Sequence, residues 1–330
     1  SMTTVSRALG GYSDVSEKTR KKVKFYAKKY NYNPSPYASR LASGKSNTVG
    51  VVIPLYGINS SFLNQSHFFQ FIAGMSHKIN MENMQFTVLF ANSKNEEINA
   101  YEKLINVQKV DRIIIHNTKK NDHRIKLFKK NKVDFVSWGR SNDKENSYSW
   151  IDLDNELSSK IIVDYLVSKG HSNIAYLNII EKYNFASQRK TGFLKALKKN
   201  NIPFNKNYYA SVKYEEPELH KYVIKKMLLK FSKITSIVCS SEYSAVGAIS
   251  AVKDLNLKIG KDISIIGYDG PVISSFATPG ITAVSHPIME IGGKAIEMLF
   301  LQEKDKKHRN FLVKPYIIER GSVHTVKKIQ

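Results

Sequence analysis

The first residues carry short hydrogen-bonding side chains at helical spacing. Thr3, Thr4, Ser6 and Arg7 share one polar helical start, which Gly10-Gly11 breaks. Hydroxyls and a guanidinium at a helix start are groups that read base edges and phosphates when the helix lies in a DNA major groove. Ser16 with Glu17 opens a second helix, with Val23, Tyr26, Ala27 and Tyr30 at three- and four-residue spacing. Lys18 to Lys29 make one face of that helix positive, suited to phosphates or to plain solvation. Asn33-Pro34-Ser35-Pro36 punctuates the chain, and Tyr37 to Ala42 can form a short helix containing Ala38, Arg40 and Leu41. This order of parts implies a groove-reading module with a separate sensor domain hung behind it.

Charge agrees with that division. Residues 1–48 hold 10 Lys/Arg against 2 Asp/Glu, whereas the remaining 282 hold 41 against 26, so positive charge is about three times denser at the front. Lysine far outnumbers arginine throughout, so charge supports nucleic-acid binding without establishing it. No run of 18 apolar residues exists to span a membrane, and no apolar segment of signal-peptide type follows the first residues. The single Cys239 allows no internal disulfide and fits a reducing cytoplasm. Catalytic signatures are missing: there is no phosphate loop, no GxSxG elbow and no HExxH, and the nine histidines lack metal-ligand spacing. Neither metal nor cofactor is expected.

The elements that must position a site follow from alternating patterns beyond residue 48. Strands are expected at Thr48–Pro54, Gln85–Phe90, Arg112–His116, Asp134–Ser137, Asn173–Leu177, Tyr208–Ser211, Ser236–Cys239, Ile263–Tyr268, Ile281–Ser285 and Phe311–Glu319. Amphipathic stretches lie between them, including Phe68–Met81, Ile98–Asn106, Asn155–Lys169, Gln188–Asn200, Glu218–Lys230, Ser244–Leu255 and Pro287–Leu301. Such alternation predicts an α/β fold of parallel sheets covered by helices, and ten strands predict two lobes. Ligands of such folds bind beyond the carboxyl ends of the strands. Gly292-Gly293 inside a helical pattern suggests close helix packing.

The segments TVSRAL (4–9), VSEKTRKKV (15–23), YNPSPYASRLASGKSNTVGVVIP (32–54) and WIDLDNELSSK (150–160) resemble those of the lactose-repressor (LacI/GalR) family of transcription regulators. So do LVSKGHSNIAYL (166–177), QRKTGFLKAL (188–197), ISIIGYDG (263–270) and ITAVSHPIMEIGGKAIEML (281–299), in family order and spacing. HNTKKNDHR (116–124) and FVSWGRS (135–141) look like regulators of α-glucoside uptake. The resemblance implies a two-lobed periplasmic-binding-protein-like (type I) sensor with two doubly wound sheets behind a partial helix-turn-helix and hinge helix. The expected divisions are 1–47 for the DNA-binding module, 48–148 with 278–308 for the first lobe, and 149–277 with 309–330 for the second. Family helix-turn-helix modules place one more helix before the recognition helix, and the motif here begins without it, so residues 1–45 are expected to be poorly ordered and to grip DNA weakly. Ala38 and Leu41 match the hinge helix, where the leucine wedges into the minor groove.

For the sensor, the resemblance implies that Arg189 clamps sugar hydroxyls with its fork and that Asp269 accepts two hydroxyl donors. Ser241 and Glu242 stand where the family has an Asn-Asp pair, which implies altered hydroxyl recognition. Arg140 faces the cleft in the glucoside-like comparison. Asn64 and Ser66 fall in a long loop, Leu55–His67, after the first strand. Trp138, Tyr183, Phe185 and Phe62 are aromatic candidates for stacking on a pyranose, and His286 replaces a polar pocket residue. The expected function is a cytoplasmic, homodimeric, sugar-controlled regulator of operator DNA, a repressor and not an enzyme. A sugar-binding protein of the transport class is the alternative; it calls for a signal peptide and no basic front, the reverse of this chain. A sugar-converting enzyme would need an acid–base pair that the sequence does not show.

Overall fold

The computed structural model describes residues 1–10, 12–32, 46–56, 62–82, 84–142, 147–180, 183–214, 216–268 and 273–326. At the front, helices α1 (Met2–Leu9) and α2 (Glu17–Lys29) each begin at a serine whose hydroxyl accepts a backbone N–H in the first turn: Ser1 from Thr4 and Ser16 from Thr19. Arg7 pairs with Asp14 at 2.6 Å and Arg20 donates to the Tyr12 carbonyl at 2.8 Å, which ties the turn between the helices. Thr3, Thr4, Ser6 and Arg7 are all exposed. Ala38, Arg40 and Leu41 lie outside the described residues.

Behind the front module come β1 (Thr48–Pro54), α3 (Phe62–Met81), β2 (Gln85–Ala91), α4 (Lys94–Glu102), β3 (Arg112–His116), α5 (His123–Lys130), β4 (Asp134–Trp138) and β5 (Ser149–Leu153). The chain continues with α6 (Asn155–Ser168), β6 (Ile174–Ile179), α7 (Asn184–Lys199), β7 (Tyr209–Val212), α8 (Pro217–Lys230), β8 (Ser236–Cys239), α9 (Glu242–Asp254) and β9 (Ser264–Tyr268). It ends with α10 (Ile273–Phe276), β10 (Thr282–Ser285), α11 (Ile288–Asp305), β11 (Asn310–Val313) and β12 (Tyr316–Ile318).

Two six-stranded sheets result, in the orders β11-β5-β4-β3-β1-β2 and β12-β10-β9-β8-β6-β7. Every neighbouring pair is parallel except β10 with β12. The central strands β1 and β3 are buried along their whole length, as continuous apolar runs in a helix-covered sheet must be. Strand β2, at an edge, shows the opposite, with Gln85 and Phe90 exposed.

Strand pairing divides the chain differently from the sequence expectation. β5 and β11 belong to the first sheet and β10 to the second, so the first lobe comprises 48–153 with 288–313 and the second 154–286 with 316–326. β5 was not expected as a strand, because SWIDL reads as the prelude to a helix. The long apolar stretch 311–319 splits into β11 and β12, one for each lobe, at the last crossover. α5 was also missed, since only His123–Lys130 is helical and its apolar face is two residues, Ile125 and Phe128, wide. Helix α3 starts at Phe62, which places Asn64 and Ser66 in its first turns and not in a loop.

Helices α3 and α11 cross so closely that glycine is required. A Cβ on Gly74 would lie 1.9 Å from the Met289 carbonyl oxygen, and one on Gly292 would lie 2.2 Å from that of Phe71. The Gly292 reading from sequence is thus explained by backbone approach. Gly74→Ala is expected to force the helices apart and cost about 1–3 kcal/mol; an unchanged urea midpoint would show that the crossing relaxes freely.

Candidate effector cleft

The carboxyl ends of the two sheets face each other across a cavity of about 140 Å³. Arg189 lies in the second turn of α7, which begins four residues earlier than its pattern suggested. Its Nε donates to Asn155 Oδ1 at 2.9 Å and its Nη1 to the Ser240 carbonyl at 2.6 Å. Its guanidinium carbon sits 3.5 Å from the centre of the Tyr268 ring and 4.8 Å from that of Phe185. Two fixed acceptors and two aromatic faces hold the fork in place before any ligand arrives.

Asn155 is the hub of the adjoining chain of contacts. Its Nδ2 donates to the Leu153 carbonyl at 2.9 Å and Gln188 Oε1 at 3.2 Å, and lies 3.4 Å from Asp152 Oδ1. Asp152 in turn accepts from Arg140 Nε at 2.8 Å, and Arg140 stacks 5.0 Å over Trp150. A polar chain therefore runs Arg140–Asp152–Asn155–Arg189–Ser240, from the first lobe into the second at their first crossover. Burial pushes the Asp152 carboxyl up to about 6, against the pull of Arg140 and Arg189.

Two histidines complete the polar wall. His116 ends β3, is 2% exposed, and is pushed down to about 3 by burial and by the nearby Arg124. Its ring packs 4.2 Å from Phe68, and its Nε2 has no partner among the described residues. The turn behind it is pinned by buried Arg124, which donates to the His116 carbonyl at 3.0 Å, to Asp122 at 2.7 Å and to Glu97 at 3.0 Å. His286 lies at the second crossover and is also pushed down to about 3, by burial and then by His67 and Arg189. Both rings are therefore neutral near pH 7, each a donor and an acceptor of hydrogen bonds.

Glu242 opens α9 and lies 3.9 Å from His67 Nε2. Ser241 reaches the cavity wall, but its hydroxyl caps α9 by accepting from Ser244 N at 3.1 Å. Ser240, fully buried beside it, has an unpartnered Oγ among the described residues.

Of the residues singled out from sequence, the structure brings Arg189, Arg140, Ser241, Glu242, Phe185, His286 and Trp138 to one cavity. Tyr183 is not on its wall: it is 8% exposed, packed with Ile179, Ala186 and Tyr214. Asp269 and the side chains of Asn64, Ser66 and Phe62 lie outside the described residues. Sequence reasoning missed His116, Asp152, Asn155, Ser240 and Tyr268. His116, Ser240 and Tyr268 sit at or one residue past a strand's carboxyl end, which was the available signal. Asp152 and Asn155 were hidden because β5 was. Cys239 is buried with its thiol pushed up by desolvation, an inert group.

Comparison with known proteins places this architecture. The sequence pattern of "Bacterial regulatory proteins, lacI family" matches residues 1–35, and that of "Periplasmic binding protein-like domain" matches residues 163–323. The HTH-type transcriptional regulator AglR of Rhizobium meliloti (strain 1021) is 32% identical over 272 residues, covering 82% of this chain and 74% of AglR. The chain belongs to the lacI family of bacterial regulatory proteins. It is a DNA-binding transcriptional regulator and not a transport protein, and the family is one of regulators and not of enzymes. The fold is that of the lac repressor dimer bound to operator and the anti-inducer ONPF, with TM-score 0.81 at 24% identity, covering 98% of this chain and 96% of that one. The CelR–cellobiose complex superposes with TM-score 0.77 at 19% identity, covering 98% and 96%. No described helix is long and apolar enough to cross a membrane.

The raised Asp152 carboxyl sets a pH dependence. A carboxyl held at about 6 in the fold and near 3.8 in the unfolded chain favours the folded state when protonated; that contribution is full below about pH 4 and lost as pH rises through 6. The stability difference between the wild type and Asp152→Asn, read by urea unfolding, is expected to fall between pH 4 and 7. A flat difference would mean that the two arginines keep Asp152 ionised throughout.

Proposed function

We propose that this regulator is a cytoplasmic repressor whose operator affinity is set by a small neutral saccharide closed between its two lobes. The observation that carries the reading is the pre-set Arg189 fork, sandwiched between Tyr268 and Phe185 and opening onto the cleft. Both cleft arginines already have protein acceptors, and both cleft histidines are neutral. Hydroxyl groups suit such a wall: they can accept from Arg189, exchange donor and acceptor roles with His116 Nε2 and Ser240 Oγ, and donate to Glu242. Phe68, Trp138 and Phe185 supply apolar faces for a pyranose.

Closing the lobes on a ligand shifts their arrangement, and with it the spacing of two DNA-binding modules in a dimer. A homodimer is part of this reading, because two-fold half-site recognition needs two copies of α1. Exposed apolar side chains on α3, β2, α8, α10 and α11 (Phe69, Phe90, Leu229, Phe276, Met289) suit such a contact. In α1, Thr3, Thr4, Ser6 and Arg7 are the residues proposed to face the groove. CelR is seen with cellobiose, a β-linked disaccharide, and segments 116–124 and 135–141 resemble regulators of α-glucoside uptake, so α- and β-linked glucose disaccharides and their monosaccharides head the test set.

A thermal-shift series against these sugars, with Arg189→Ala alongside, tests the proposal. One sugar is expected to raise Tm by several degrees at saturating concentration, since ligand at 100 times Kd stabilises by about 2.7 kcal/mol. Arg189→Ala, which also leaves Asn155 and the Ser240 carbonyl without their donor, is expected to melt lower without sugar and to show no further shift when sugar is added. Absence of a shift with any saccharide would sink the carbohydrate reading and leave the family assignment intact.

A further inference from the structure

All six strands of the first sheet run parallel, so their amino ends share one edge, on the side away from the cleft. The chain coming from the DNA-binding module joins the sheet at that edge. Ser46 N, Ser46 Oγ and Thr48 N all donate to the Asp111 carboxylate, at 3.1, 3.2 and 3.2 Å. The next residue, buried Arg112, pairs with Glu303 in the last turn of α11 and stacks 5.2 Å from the Phe300 ring. From Glu303 the surface continues into a lysine-rich run. Lys306 reaches Asp134 at 3.4 Å and Gln302 donates to the same carboxylate at 3.0 Å, which joins the end of α11 to the loop before β4.

Residues 126–134 and 303–309 thus form one patch, contiguous with the point where the chain joins the sheet. They hold eight Lys/Arg against three Asp/Glu. The whole first lobe, 48–153 with 288–313, holds 19 against 14. All of its excess positive charge therefore sits in this patch, and the rest of the lobe is balanced. Lys130, Lys132, Lys304 and Lys307 are exposed and make no ion pair among the described residues.

We propose that this amino-edge patch is a second, sequence-independent DNA contact that grips backbone phosphates beside the operator. The inference rests on the chain's DNA-binding role and not on the saccharide reading. The chain's own front module is an unsuitable occupant, since residues 1–48 carry 10 Lys/Arg against 2 Asp/Glu and would be repelled. A polyanion is the complementary partner, and one is already held nearby. Thirteen residues separate Tyr32 from Ser46, so the chain can extend at most about 50 Å between module and patch. Phosphates neutralised here would steepen the salt dependence of binding by about 0.9 per contact without adding base specificity.

The experiment compares the full chain with two quadruple variants of equal charge change on a 40-base-pair mixed-sequence duplex, by fluorescence anisotropy between 50 and 300 mM KCl. One removes the edge charges (Lys130→Gln, Lys132→Gln, Lys304→Gln, Lys307→Gln). The other removes exposed second-lobe lysines (Lys198→Gln, Lys199→Gln, Lys206→Gln, Lys233→Gln). The edge variant is expected to lose between about one and about four units of slope in log K against log salt, and at least tenfold in affinity at 50 mM. The second-lobe variant is expected to match the wild type. Equal weakening by both would reduce the patch to net charge, and no weakening by either, or no wild-type binding at 50 mM, would overturn the proposal. Unchanged melting temperatures establish that neither variant has lost its fold.

Discussion

The sensor depends on keeping a buried ionic chain satisfied across the seam between its lobes. Arg140, Asp152, Asn155 and Arg189 are linked donor to acceptor, and the last link ends on a backbone carbonyl of the second lobe. Leaving one member unpaired in this setting costs several kcal/mol, because a buried charge without its partner retains the full desolvation penalty. The chain therefore fixes the distance between the end of β5 and the start of α7. Aromatic rings flank the arginines, Trp150 at one end and Tyr268 with Phe185 at the other.

Parallel strands give each lobe two chemically different ends. The carboxyl end of the first sheet presents His116 and Asp152 to the cleft, where neutral imidazoles and engaged guanidinium groups suit hydroxyl chemistry. The amino end presents lysines and the Asp111 clamp on the incoming chain. Helix α11 connects the two: it starts two residues after His286, and Glu303 in its last turn pairs with Arg112 beside that clamp. The close α3–α11 crossing at Gly74 and Gly292 makes this connection stiff.

Much of this was legible in the residue pattern. Strands such as TVGVVIP and RIIIH hold apolar runs, Val49–Pro54 and Ile113–Ile115, without the alternation of a half-exposed strand, so their positions could be read directly. The helix start read at Ser16 follows local capping chemistry, which needs no partner from elsewhere in the chain, whereas the cap at Ser93 went unread and its helix was placed four residues late. β5 escaped because SWIDL mixes polar and apolar residues; Ser149 and Asp152 are buried there only because Gln302 and Arg140 satisfy them. Tyr183 looked like a cleft aromatic from its position after β6, yet it turns into a cluster with Tyr214.

By itself the sequence determined the α/β alternation, the basic groove-reading front, the arginine at 189 and the family to which these belong, because each is written in local spacing. Tertiary structure decided which lobe owns β5, β10 and β11, and which polar groups share the cleft. It also decided that burial keeps His116 and His286 neutral and that Lys130, Lys132, Lys304 and Lys307 lie on one edge of the first lobe. Those outcomes depend on contacts between residues far apart in the chain, as when Gln302 meets Asp134 or Arg112 meets Glu303. Burial and pairing arise only when distant segments close upon each other, and no local spacing records them.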